Sequence, residues 1–135
     1  MQTFLPYKSY YESAKVLDNK RLGKQRVECK QIYGSLIFGQ GWKNHPATKM
    51  WKGYELSLLL YSIQICLEWR NRGFKDNQLV LFLEWLHNEN NRSFEYKPDW
   101  LTDEFCRSHQ SNLKRKNPVY YKFDVPDNLP YIWPK

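Results

Sequence analysis

Apolar residues recur along this chain at intervals of three and four rather than two, so its elements read as helices. Ser9-Tyr10-Tyr11-Glu12 is a capping box, in which the Ser9 hydroxyl and the Glu12 carboxylate satisfy each other's free backbone N–H groups. It predicts a short helix to about Leu17. Asp18 is placed to cap a second helix, which runs to about Phe38 and is stopped by Gly39 and Gly41. Leu22, Cys29, Ile32, Tyr33 and Leu36 give this helix its apolar stripe, and Arg21, Gln25 and Glu28 form a neighbouring polar one. Glycine inside a helix costs of order 1 kcal/mol relative to alanine, so Gly23 predicts a close approach by another helix or a ligand.

Farther on, Pro46 suits the first turn of a helix. Ala47, Met50, Trp51, Tyr54, Leu58, Tyr61, Ile65 and Trp69 then predict one long helix ended by Gly73. Leu79 to Leu86 is apolar nearly all round and predicts a buried helix. Residues 88–100 carry no period and read as loop, and Thr102 to about Lys114 as a short final helix. Past Asn117-Pro118, the prolines at 126, 130 and 134 forbid long helices and leave an extended aromatic tail. Phe4-Leu5-Pro6-Tyr7 is apolar and rigid enough to pin the N-terminus against the core. No repeat or linker divides the chain. The expected fold is all-α: one domain over residues 1–135, with about three main helices, shorter ones and the tail.

A chain of 135 residues has room for a real core. Its formal charge of +7 is unevenly placed: eight Lys/Arg face three acids in residues 1–45, five face five in 46–90, and eight face six in 91–135. A fold can bring the two basic ends onto one face, which would attract a phosphate backbone in a salt-dependent way. Cys29, Cys66 and Cys106 are far apart and read as reduced core cysteines. The three histidines are equally scattered, so no metal site is expected. No apolar run approaches a membrane span and residues 1–4 do not open a signal peptide, which gives a cytoplasmic expectation, with nucleoid or host-cell DNA as the place of work.

The cations Lys20, Arg21, Lys24 and Arg26, with Lys30 just beyond, crowd around one carboxylate, Glu28. One reading is a solvated helix face, since Lys24 lies one turn and Arg21 two turns from Glu28, within reach of its carboxylate. The other is a carboxylate held ionised by cations that also grip phosphates. Beside a sugar, such a group stabilises an oxocarbenium-like centre or moves protons. In Lys114-Arg115-Lys116 and the following Tyr120-Tyr121-Lys122, cations alternate with rings, suited to phosphates and to stacked bases respectively. The same rings are equally suited to packing on the core. His45, before Pro46, is placed either to cap its helix or to face a ligand.

Several of these strings resemble the pyrimidine-dimer DNA glycosylase family, typified by a small bacteriophage enzyme called endonuclease V. Asp18…Leu22…Arg26-Val27-Glu28 resembles the family's catalytic helix, and His45 falls at its Gly-His turn before a long helix that ends near Cys66 to Phe74. Ser111-Asn112-Leu113…Lys116-Asn117-Pro118…Tyr120-Tyr121-Lys122 is similar to the family's closing segment. Phe4-Leu5-Pro6-Tyr7, Arg21 to Glu28, Asn44-His45-Pro46 and Leu129 to Pro134 are shared with a branch of cellular and viral proteins.

The resemblance implies an all-α DNA-repair enzyme that needs no metal or cofactor and acts as a monomer on damaged double-stranded DNA. In it the N-terminal α-amine attacks C1′ of the damaged nucleotide, releasing the base through an imine, and a glutamate supports that step and the β-elimination that nicks the strand. Carried over, the catalytic set is the Met1 amine and Glu28, with Arg21, Lys24 and Arg26 in electrostatic or phosphate-binding roles. The DNA-binding set is Lys20, Lys24, Lys30, His45, Lys114, Arg115, Lys116, Tyr120 and Tyr121. Two departures stand out: bulky Gln2 predicts that Met1 is retained, and the tail from Asp124 to Lys135 has no counterpart in the phage pattern. The alternative is a non-catalytic DNA- or RNA-binding protein on the same fold. A purely structural module leaves the charge on the second helix unexplained.

Overall fold

The computed structural model describes residues 2–88 and 97–134. Among them are six helices and no strand: α1 Tyr10–Val16, α2 Asn19–Phe38, α3 Pro46–Trp51, α4 Glu55–Asn71, α5 Leu79–Asn88 and α6 Asp103–Lys116. The all-α expectation holds. Most of the 88–100 segment read as loop lies outside the described residues.

The local start and stop signals act as their chemistry dictates. Ser9 Oγ accepts the Glu12 amide at 3.2 Å and opens α1, and Thr102 Oγ1 accepts the Phe105 amide at 3.1 Å and opens α6. Asp18 occupies the N-cap of α2, but its carboxylate makes no capping bond. It accepts instead from the Tyr121 hydroxyl and from Arg21, because the tail delivers a stronger donor than the exposed first turn offers.

Helix α4 lies at the centre and packs on α1, α2 and α5. Leu58, Leu59, Tyr61 and Ile65 bury one side of it completely, against Leu22, Cys29 and Ile32 of α2. At Gly23 the two helices touch so closely that a β-carbon there would sit 3.0 Å from the Trp69 ring. The close approach expected at that glycine is made by a helix.

Two helix expectations need correction. The long helix predicted from Ala47 to Trp69 is two helices, α3 and α4, broken at residues 52–54. Gly53 sits at φ +89°, in the left-handed region, and turns the chain so that Trp51 and Tyr61 stack with ring centroids 6.1 Å apart. Apolar spacing survives such a break because both pieces face one core. Helix α5 is not buried all round: Leu79 and Phe82 are buried, whereas Val80 and Leu83 are exposed. It lies on the surface of α4, so only one side has anything to pack against.

The first residues form an extended strap threaded across the core. Phe4 and Leu5 are buried, as expected of a pinned terminus. Because no strand pairs with the strap, side chains satisfy its backbone. The Gln25 carboxamide does this as a neighbouring strand would, accepting the Phe4 amide at 3.2 Å and donating to the Gln2 carbonyl at 2.9 Å. Tyr61 places its hydroxyl 2.7 Å from the Phe4 carbonyl and 2.8 Å from Gln25 Oε1. His109 Nδ1 accepts the Leu5 amide at 3.0 Å, and Gln110 donates to the Pro6 carbonyl at 2.7 Å.

Candidate active site

The strap ends at Glu28. Gln25 and Glu28 lie three residues apart on α2, so the amide that holds the strap also reaches the carboxylate: Gln25 Nε2 donates to Glu28 Oε2 at 3.0 Å. The Gln2 backbone amide donates to the same oxygen at 3.4 Å. No lysine or arginine pairs with Glu28 among the described residues, although Lys24 and Arg21 lie one and two turns away. Arg21 turns to Asp18 instead, at 3.3 Å. The ion-paired helix face is therefore not what forms. The carboxylate is oriented by two neutral N–H donors.

A cleft of about 220 Å³ opens over this carboxylate, lined by Gln2, Phe4, Lys20, Arg21, Lys24, Glu28 and Lys116. Lys20, Lys24 and Glu28 follow at intervals of four along α2, which puts them on one stripe by helical geometry alone. Lys116 comes from the last turn of α6 and joins them only through the fold. Lys20, Lys24 and Lys116 are exposed and form no ion pair among the described residues, so their charge is free to meet an anion.

Other residues singled out in the sequence lie elsewhere. Arg26 is committed to Asp76, at 2.6 Å and 2.7 Å, and lies over the Trp69 ring at 5.1 Å. Asp76 in turn accepts the Leu79 and Gln78 amides at the start of α5. Burial raises its carboxyl pKa, but these amides and Arg26 outweigh burial and hold it below the usual range. Arg26 thus ties α2 to the α4–α5 connection and does not line the cleft. Lys30 is exposed and also outside it. Lys114 donates to the Phe123 and Val125 carbonyls, and Arg115 to those of Asp127 and Leu129, so both hold the tail in place. Tyr121 is buried with its hydroxyl on Asp18, the core alternative for that ring. Tyr120 is exposed and lines a separate groove with Tyr7, Lys122 and Phe123. Met1 lies outside the described residues.

His45 caps its helix, the first of the two tasks its position allowed. Its Nδ1 accepts the Ala47 amide at 3.0 Å and caps α3, while its ring contacts Trp42 and Trp133. Partial desolvation lowers its pKa. Gln2, Tyr61 and Lys116 complete the site, and of these only Lys116 stood out in the sequence. The other two carry no local signal, because their roles depend on the strap crossing α2 and α4.

The fold and cleft define a helical protein whose lysines line a cleft around a carboxylate that pairs with no lysine or arginine among the described residues. A family model described as pyrimidine dimer DNA glycosylase matches residues 1–82, more than half of the chain, and the chain belongs to that family. No curated protein and no solved structure matches it. The matched residues carry the strap, Gln25, Glu28, His45 and Tyr61. Helix α6 and the tail fall beyond them. Among the described residues no helix is long and apolar enough to cross a membrane.

Proposed function

We propose that the protein is a DNA-repair glycosylase with abasic-site lyase activity, excising a pyrimidine from a cyclobutane dimer through an imine on the Met1 α-amine. One observation carries this reading: the strap delivers the Gln2 amide to within 3.4 Å of Glu28 Oε2. Only three covalent bonds separate that amide nitrogen from the Met1 amine, a span of no more than about 4 Å whatever the conformation. An α-amine with a pKa of about 7.7–8.0 keeps a neutral fraction at physiological pH, whereas a lysine near 10.4 does not.

In this mechanism Glu28 takes a proton from the Met1 ammonium, and the freed lone pair attacks C1′. The C1′–N bond breaks, the base leaves with its electron pair and takes the proton that Glu28 now carries, and the amine adduct passes a proton to O4′ as the sugar ring opens to the iminium. Glu28, ionised again, then removes a C2′ proton, and the electrons expel the 3′ phosphate. Lys20, Lys24 and Lys116 hold the flanking phosphates and offset the charge on the leaving group. Arg21, held by Asp18 at the cleft wall, contributes to the same field. The binding-only alternative gains nothing from a carboxylate in a cationic cleft that pairs with no lysine or arginine among the described residues.

The test is borohydride trapping on abasic-site duplex followed by peptide mapping, beside base release from dimer-containing duplex. The adduct is expected on the N-terminal peptide, and residues added before Met1 should abolish it. Glu28→Gln should slow base release at least about 10²-fold while leaving duplex affinity equal or tighter. An adduct on Lys20 or Lys24, or full activity in the extended protein, excludes the α-amine. Base release with no adduct indicates a water-using glycosylase built on Glu28. Parent-rate release by Glu28→Gln leaves that residue only the task of holding the strap.

A further inference from the structure

The described tail after α6 forms no helix or strand of its own, yet it is fixed along much of its length. Besides the bonds from Lys114 and Arg115, the Leu129 amide donates to Ser111 Oγ at 3.0 Å and the Ile132 amide to Ser108 Oγ at 3.3 Å. The partners on α6 step backward from Arg115 to Ser108 as the tail advances, so the tail runs back along the helix. It lays the Tyr131 ring on His109, with centroids 4.7 Å apart and planes at 28°. There the Gln2 side chain lies close enough to the Tyr131 hydroxyl to oppose the rise that burial gives its pKa. Gln2 lines the Glu28 cleft, so the tail arrives at the edge of the candidate active site.

From that edge a row of rings continues outward. Trp133 lies 4.9 Å from Tyr131 and meets His45 edge-on at 6.1 Å, and His45 meets Trp42 edge-on at 6.5 Å. His45 is fixed by its bond to the Ala47 amide, so it braces both indoles. Despite their size, the two indoles are open to solvent: Trp42 is 61% exposed and Trp133 36%. Indoles held in place but left exposed give up transfer free energy that burial would recover. The loss is offset when a flat apolar ligand covers them. The neighbouring cations and carboxylate indicate its chemistry, a base whose phosphates lie in the cationic cleft. Aromatic rings beside a cationic groove are the usual platform for bases out of the helical stack, because every base has a π-face.

We propose that Trp133 and Trp42, braced by His45 and Tyr131, form a stacking wall that receives a base extruded from duplex DNA beside the Glu28 cleft. This rests on the glycosylase reading for its catalytic consequence, but not for the stacking itself. The wall is assembled from the loop after α2 and from the tail, and the tail lies beyond the residues the family model matches. Pre-fixing the rings lowers the ordering cost of base capture.

The experiment compares the parent with Trp133→Leu, Trp42→Leu and Trp133→Phe. On dimer-containing duplex, each Leu variant should lower the ratio of base release to borohydride trapping on preformed abasic DNA at least tenfold, because an abasic site has no base to stack. Trp133→Phe should restore most of the loss. An unchanged ratio overturns the wall, as does a loss that Phe fails to recover. A binding arm is independent of catalysis. The parent should bind a duplex carrying one unpaired 2-aminopurine at least tenfold tighter than the fully paired duplex and quench its fluorescence. Trp133→Leu should erase both effects. Should the parent neither release base nor trap, the glycosylase reading fails while this arm still decides the wall. Equal parent affinity for the two duplexes overturns it.

Discussion

His109 shows how one buried side chain serves both the strap and the tail. Its Nδ1 accepts the Leu5 amide, so the proton sits on Nε2, which has no partner among the described residues. The ring lies between Phe105 and Tyr131, fully buried, and burial pushes its pKa down to about 3. Unfolded, it titrates near 6.5. Between these values the unfolded chain binds one more proton than the folded one, so the folded state loses stability as pH falls from about 6.5 toward 3. The slope from this group is at most about 1.4 kcal/mol per pH unit. His109→Asn keeps an acceptor for Leu5 and removes the titration. Urea unfolding measured at pH 7, 6, 5 and 4.5 should therefore fall less steeply in the variant, by up to one proton's worth. Equal slopes would mean that His109 takes up its proton in place. Gln25 works in the same way without titrating, since its one carboxamide pins the strap and aims Glu28.

Among the elements, the break between α3 and α4 decides where the rings go. Trp51 packs on Tyr61 and Trp100 and donates from its indole to Thr3 Oγ1 at 3.1 Å. A continuous helix would carry it away from the strap. Gly53→Ala keeps the spacing but forces a β-carbon onto φ +89° with nothing around it to clash. Only backbone strain is then added, about 1–2 kcal/mol. The urea midpoint should fall accordingly with an unchanged m-value, and a midpoint equal to the parent's would show that the turn relaxes freely. Helix α2 is used on two sides. Gly23 and Arg26 face Trp69 and Asp76, while Lys20, Lys24 and Glu28 face the cleft.

At the scale of the whole molecule, the +7 charge matters less than which cations converge. Lys20, Lys24 and Lys116 share the cleft, whereas Lys114 and Arg115 spend their hydrogen bonds on the tail. Each phosphate neutralised contributes about 0.9 to the slope of log affinity against log salt. Changing Lys20, Lys24 and Lys116 together to Gln should therefore flatten the slope for duplex DNA by about two to three, measured by anisotropy across a sodium chloride series. Changing Lys114 and Arg115 should instead lower thermal stability, with the smaller effect on slope. An unchanged slope in the triple variant would place the DNA on another face.

Much of this was legible in the chain because it is local. The period of apolar residues set the helices, Ser9 and Thr102 set two starts, and spacing by four put Lys20, Lys24 and Glu28 on one stripe. The resemblance placed Glu28 at the centre, and the family match covers that helix. Helical spacing says which residues share a face but not what that face meets. Arg26 and Lys24 are two residues apart with equal charge, and only the packing of α2 on α4 sends one to Asp76 and leaves the other in the cleft. The break at Gly53, the open side of α5, the convergence of Lys116 and the return of the tail to Gln2 have the same origin. Each depends on contacts between residues distant in sequence, which exist only once the chain has closed on itself.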